Sequence, residues 1–322
     1  MNCFEELTPD RVIRCAEDSL GCSFSGYIHH LPSYINRVYE LESSAEDRYV
    51  IKFYRSDRWS LDALLEEHDF ILDCHEAEIP VVPPLTLVGG GTLSDDNGIY
   101  YAIFPKKSGR LIEINSDDEW VRLGAIIGRM HRAGREFDAI HRVILHPEKT
   151  TRDDIDFLLN QNLIPEPYRA EFIRLTDRLL EVITPLFDGV ELQRIHGDCH
   201  AGNILERGKE GLMLIDFDDM AIGPVVHDLW LLLPGYYKDC TNEMDLLIEG
   251  YNQFSHFNPR DLILIEPLRA MRMIYFTAWC GSQIDDFKFM HNFPDWGSMG
   301  FWEKEIIDLE TQLLVIQKEL ES

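Results

Sequence analysis

Positive charge is scarce in this 322-residue chain: 30 Lys and Arg stand against 57 Asp and Glu, a formal net charge of −27. A duplex-binding surface needs clustered cations to displace counterions, so nucleic acid is not expected as a partner. The balance leaves room for a cationic substrate or a basic peptide, although surplus acids also serve solubility alone. The seven cysteines are odd in number and form no Cys-x-x-Cys pair. That fits reduced thiols in a cytoplasm. No apolar run approaches the length that crosses a bilayer, and no membrane partner is expected. The first residues, Met1-Asn2-Cys3-Phe4-Glu5-Glu6, are acidic and lead into no apolar segment, so no export signal is expected. Internal repeats and low-complexity tracts are also missing.

What remains is ordinary globular material, 45% hydrophobic and 27% charged, long enough for two lobes with a sizeable core. Thr8-Pro9-Asp10 predicts a helix start, and Gly21 can close that helix. Three β-like runs follow at 23–29, 37–41 and 48–54. Lys52 lies inside the third, either snorkelling at a strand edge or aimed at something anionic. Ser60 can cap a helix carrying Leu61, Leu64, Leu65, His68, Ile71 and Leu72. Glu67 falls on its apolar stripe, and Glu66 projects about 100° away. A further strand spans 99–104 and ends at Pro105. After a connector at 106–109, helical patterns dominate, roughly at 167–186, 224–233, 242–254, 259–281 and 301–320. The one clear β region in this half is 192–216. Strands first and helices after predict an α+β molecule with a small β-rich N-lobe, 1–107, and a larger, mainly helical C-lobe, 108–322.

The chemistry concentrates in His196-Gly197-Asp198-Cys199-His200-Ala201-Gly202-Asn203-Ile204-Leu205, followed by Leu214-Ile215-Asp216-Phe217-Asp218. An acid, an amide five residues on, and a second acid closing an apolar run form the residue set of a phosphoryl-transfer site. Asp198 would orient a hydroxyl. Asn203 and Asp216 are the hard oxygen donors that magnesium takes alongside phosphate oxygens. Lys52 is the candidate phosphate lysine, with Glu67 as its brace and Glu66 as the backup. Asp218 either assists a metal or is solvated, and Asp228 caps a helix or braces a loop. A zinc site from His196, Cys199 and His200 lacks tetrahedral ligand spacing. Cys199 as a nucleophile lacks a base from across the fold. The loop 31–37, where phosphate-covering glycines are expected, has none; Ser33 can donate by hydroxyl and backbone instead, and Arg37 can help or pair elsewhere.

These residues resemble the aminoglycoside phosphotransferase and choline kinase branch of the protein-kinase-like fold. The shared positions are His196-Gly197-Asp198, Asn203 and Ile215-Asp216-Phe217. Further blocks are similar to a bacterial serine/threonine protein kinase subfamily within it. They include Ser33-Tyr34-Ile35-Asn36-Arg37-Val38-Tyr39, Val50-Ile51-Lys52-Phe53-Tyr54-Arg55, Leu65-Glu66-Glu67-His68, Gly128-Arg129-Met130-His131 and Asp228-Leu229-Trp230. The resemblance implies a bilobal kinase with nucleotide in 1–107 and catalytic and substrate functions in 108–322. It implies ATP as co-substrate and Mg2+ as cofactor. Asp198 would be the proton acceptor, Asn203 and Asp216 the metal ligands, and Ser33 an ATP contact beside Lys52 and Glu67. It implies transfer to serine or threonine of proteins by a monomer, in a bacterial stress response. No Ala-Pro-Glu segment follows Asp216, which speaks against control by activation-loop phosphorylation. A small-molecule kinase of the homoserine, choline or aminoglycoside type is the alternative, and a pseudokinase binding module is a further one.

Overall fold

The computed structural model describes residues 4, 6–33, 35–284 and 287–321. Met1, Asn2, Cys3, Glu5 and Tyr34, named above, lie outside the described residues. The chain divides into two compact units. The first holds Met1–Asn115, Arg129–Arg142 and Asp198–Met220; the second holds Ser116–Gly128, Val143–Gly197 and Ala221–Ser322.

The elements run α1 (Pro9–Leu20), β1 (Phe24–Leu31), β2 (Arg37–Ser43), β3 (Arg48–Phe53), α2 (Leu61–Glu76), β4 (Ser94–Asp96), β5 (Ile99–Pro105), β6 (Arg110–Leu111) and α3 (Asp117–Gly134). Then come α4 (Arg152–Asn160), α5 (Glu166–Ile183), β7 (Gln193–Ile195), β8 (Ile204–Glu206), β9 (Leu212–Leu214), β10 (Ala221–Gly223), α6 (Val226–Trp230), α7 (Thr241–Tyr251), α8 (Ile265–Gly281), α9 (Phe287–Asn292) and α10 (Met299–Leu320). No described helix is long and apolar enough to cross a membrane.

In the first unit the local signals act as expected. The Thr8 hydroxyl accepts the Arg11 amide at 3.4 Å, Pro9 opens α1, and Gly21 closes it at φ 65°. The Ser60 hydroxyl accepts the Ala63 amide at 3.2 Å and starts α2. The strands form an antiparallel sheet in the order β1-β2-β3-β5-β4. Alternation along β3 decides what faces what. Ile51 and Phe53 join Val12 and Ala16 of α1, Leu41, Tyr101 and Ile103 in one core. Lys52, paired with Ala102, lies on the other face, where Ala102 clusters with Tyr54 and with Leu64 of α2. A second, three-stranded sheet runs β6-β8-β9.

In the second unit α3 and α7 cross with almost no side chain between them. A Cβ on Gly124 would lie 1.9 Å from the Leu247 carbonyl oxygen, and one on Gly250 would lie 1.9 Å from that of Val121. Alanine favours a helix over glycine by about 1 kcal/mol, but overpacking costs about 1–3 kcal/mol, and here the obstacle is backbone. Gly124→Ala should therefore lower stability rather than raise it, which urea unfolding will measure.

Some elements differ from expectation. The stretch 147–160 forms a π-helical turn, Pro147–Thr151, running into α4, although its sequence carries no strong apolar period. The helix expected at 224–233 contracts to α6, whose residues are buried all round, so its apolar run marks burial more than length. Three-residue β10, paired with β7, is too short to leave a period.

Candidate active site

The hairpin of β8 and β9 sets the site. Ile204 pairs with Leu214, so Asn203, just before one strand, and Asp216, just past the other, share one end of the ladder. The Ile215 amide donates to the Asn203 carbonyl at 3.0 Å and extends the pairing. The Leu214 amide donates to the Pro80 carbonyl at 2.9 Å, and Val81 bridges Leu214 in parallel. That ties the strand end to the chain just after α2. Asp216 then turns at φ 62°, in the left-handed region. This conformation costs a residue with a Cβ about 1–2 kcal/mol, least for Asp and Asn.

Asp198 opens the turn that ends at Asn203. The Asn203 side-chain amide donates to the Asp198 carbonyl at 2.9 Å and to its Oδ2 at 3.2 Å. His200 Nε2 stands 3.4 Å from the same Oδ2. In the second unit the carboxylate of Asp228 accepts the amides of His196 at 2.7 Å and Gly197 at 2.9 Å. Gly197 turns at φ 81°, and its carbonyl lies 3.1 Å from His227 Nε2. Of the two roles expected for Asp228, the structure has loop bracing.

Lys52 is buried, and its ammonium meets Asp216 Oδ1 at 3.1 Å, Asp218 Oδ1 at 3.2 Å and Glu67 Oε1 at 3.8 Å. Burial works against its charge, but Asp218, Asp216 and Glu67 outweigh that and hold its pKa well above the usual lysine value. Glu67 is brought to Lys52 as expected from the stripe of α2. Glu66 turns elsewhere: its carboxylate accepts the Ile140 amide at 2.8 Å and the His141 amide at 2.9 Å. Asp218 is not solvated. It is buried, salt-bridged to Arg58, and held below the usual carboxylate range: burial opposes its ionisation, but Lys52, Arg58 and Arg142 prevail. Ser33 stands half-buried in the loop between β1 and β2. Arg37 is buried and lies over the Phe4 ring at 4.9 Å.

Two residues of this network were not singled out from sequence. Arg58 spans Asp218 and Asp219, the latter at 2.5 Å. Arg142, fully buried, donates to the carbonyls of Met220 at 2.8 Å, Asp218 at 2.5 Å and Ala63 at 3.4 Å, and faces Glu67 Oε2 at 3.9 Å. Neither lies in a recognisable motif. The available signal was an excess of acids at 216–219 that needed cations from elsewhere in the chain.

Burial raises the Glu67 carboxyl to about 7 against the pull of Lys52. The sign follows from linkage. The folded protein holds this proton more tightly than the unfolded chain, so the stabilisation is full below about pH 4.5 and is lost as pH rises through about 7. Urea unfolding at several pH values should show the native protein losing stability relative to Glu67→Gln across that window. A flat difference would remove the raised carboxyl.

The donor set fits a hard divalent ion. Asn203 has committed its side-chain nitrogen to Asp198, so the atom left for a cation is the side-chain oxygen Oδ1. Asp216 adds one carboxylate, with its side chain 55% exposed. Magnesium takes such sparse protein ligation when phosphate and water oxygens complete its shell. Among the described residues no three His, Cys, Asp or Glu side chains gather to hold a metal unaided. Cys199 is fully buried.

The model of the family described as phosphotransferase enzyme family matches residues 28–264. Stress response kinase A of Escherichia coli (strain K12) is 36% identical over 316 residues, covering 98% of this chain and 95% of that protein. Serine/threonine protein kinase RdoA of Salmonella typhimurium (strain LT2) is 35% identical over 317 residues, with the same coverage of 98% and 95%. Among solved structures, amicoumacin kinase hAmiN in complex with AMP-PNP, Ca2+ and Ami matches at a TM-score of 0.73 and 18% identity, covering 93% of each chain. That last likeness is one of fold, an α+β kinase-like arrangement with a small antiparallel sheet and a mainly helical remainder. With 237 consecutive positions (28 to 264) under the family model and curated relatives aligned nearly end to end, the chain belongs to the phosphotransferase enzyme family and is an enzyme of phosphoryl transfer.

Proposed function

We propose that this phosphotransferase is an ATP- and Mg2+-dependent serine/threonine protein kinase. The observation that carries the reading is the convergence on Asp216: the ammonium of Lys52 lies 3.1 Å away, and the main-chain carbonyl of Asn203 accepts the neighbouring Ile215 amide, which sets the Asn203 side chain at the same end of the ladder. A buried cation, an amide oxygen and an exposed carboxylate together suit a triphosphate tail and its counter-ion. Names of relatives support a protein acceptor, since one is a serine/threonine protein kinase and another a stress response kinase. Six described cysteines are free thiols, which agrees with a cytoplasmic enzyme.

In this reading Lys52, braced by Glu67, binds the α- and β-phosphates, and Ser33 contacts the nucleotide from the β1–β2 loop. Asn203 and Asp216 would hold magnesium, which supplies charge neutralisation on the phosphate oxygens. Asp198 orients the acceptor hydroxyl and takes its proton. The hydroxyl oxygen bonds to the γ-phosphorus, the bond from that phosphorus to the bridging oxygen breaks, and ADP leaves. Placement and electrostatics carry such transfers.

The second reading is a small-molecule kinase, because the amicoumacin kinase shares this fold and the surplus of acids suits a cationic acceptor. The test is an acceptor panel with γ-labelled ATP and magnesium: a histone mixture, casein, homoserine, choline and an aminoglycoside. Label entering protein on serine or threonine is the expected result. Label entering only the small molecules overturns the protein-kinase reading, and no transfer to any acceptor revives a binding module.

A further inference from the structure

His200 has no part in the roles above, yet one ring nitrogen is held by a hydrogen bond and the other is turned to Asp198. Nδ1 accepts the Gly202 amide at 2.9 Å. A nitrogen that accepts carries no proton, so the proton of the neutral ring lies on Nε2. Nε2 stands 3.4 Å from Asp198 Oδ2, the oxygen that also takes the Asn203 amide at 3.2 Å. The ring has a shaped seat. A Cβ at residue 202 would lie 2.6 Å from ring Cε1 and 2.8 Å from Nδ1, so glycine alone lets the ring lie over this backbone. The side chain is 43% exposed, so packing does not force this orientation. Capping explains Nδ1, but it does not explain why the proton-bearing edge is turned to Asp198.

We propose that His200 is a positioning residue for Asp198: tethered through Nδ1, it donates Nε2–H to Oδ2 and, with Asn203, fixes the plane of the carboxylate for the incoming hydroxyl. The separation of 3.4 Å exceeds that of a formed hydrogen bond, and contacts of this kind tighten when the acceptor arrives. A neutral donor on a base slightly lowers its basicity, so the gain is in orientation, not in proton affinity. The proposal rests on Asp198 being the proton acceptor.

Two substitutions separate the two ring edges. His200→Asn keeps an acceptor near Nδ1 and loses the donor toward Asp198. His200→Gln reaches the Nε2 position with an amide N–H and loses the cap. Tm, KM for ATP and kcat are measured on the full chain with the acceptor from the panel above that takes most label. The Asn variant should lose about tenfold in kcat with Tm and KM for ATP unchanged, the scale of a hydrogen bond to a charged group. The Gln variant should stay within about threefold in kcat while its Tm falls. Full kcat in the Asn variant, or kcat that simply follows Tm across both, makes His200 a cap and overturns the proposal. An Asp198→Asn control that retains full rate instead overturns the assignment of Asp198, whatever His200 does.

Discussion

Asp198→Asn should lower kcat for phosphoryl transfer by about 10²–10⁴-fold, the range for loss of a positioned general base, with Tm nearly unchanged. The substitution is close to isosteric. Oδ2 receives the Asn203 amide at 3.2 Å and lies 3.4 Å from His200 Nε2, and an asparagine oxygen at that position still accepts the Asn203 amide and presents the same atom to His200. The Asp198 carbonyl keeps its bond from Asn203 at 2.9 Å, because that bond belongs to the main chain. What disappears is the negative charge and the capacity to take a proton. The loss should therefore fall on kcat, and ATP affinity, which the proposed reading assigns to Lys52 and its partners, should hold. Single-turnover transfer with an independent ATP-binding measurement separates the two. Near-normal transfer would remove Asp198 from the chemistry, and a collapse of Tm would make it structural.

The parts of this site legible in the sequence are those whose chemistry is local. Asp198 and Asn203 share one turn, and Asp216 closes the strand paired with the one that begins after Asn203, so one turn and one hairpin within eighteen residues of sequence distance carry all three. Lys52 and Glu67 were legible for a different reason. A lysine inside a β-branched run and a glutamate on an apolar helical stripe each violate burial preference, and two such violations of opposite sign suggest a pair. Arg58 and Arg142 carry no such mark. Arg58 lies in a loop, and Arg142 follows an exposed stretch with no period, so nothing local shows that either guanidinium is drawn onto acids far along the chain. The fold divides in the same way. Caps and strong periods located α1, α2 and the meander, whereas three-residue β10 forms by pairing with distant β7, and the π-helical turn before α4, capped by His146, carries no apolar period that would mark it.

Arg142 should matter most for stability. Its side chain is fully buried, and it serves three carbonyls on two segments: Ala63 on α2, and Asp218 and Met220 on the turn after Asp216. It also supplies positive charge to Glu67 and Asp218, both buried. Replacing both members of a buried ion pair by apolar groups is often harmless, but removing one member leaves the other uncompensated, at about 3–5 kcal/mol. Arg142→Met fills much of the space and removes the charge and all three donors, so its loss should sit in that range. Arg142→Lys keeps the charge but lacks the planar fork that reaches several carbonyls at once, and should recover only part of it. Trp59 offers a local reporter, since the guanidinium of Arg142 lies 4.0 Å from its ring centre and that of Arg58 5.2 Å. Urea unfolding followed by tryptophan fluorescence should thus place Met below Lys and Lys below the native protein. Catalysis should change with it: once the turn after Asp216 is no longer tied to α2, the arrangement of Lys52, Glu67 and Asp216 loosens and KM for ATP rises. An Arg142→Met protein as stable as the native one would mean that the acids of this network do not depend on that cation, and that Lys52 and Arg58 suffice to hold them.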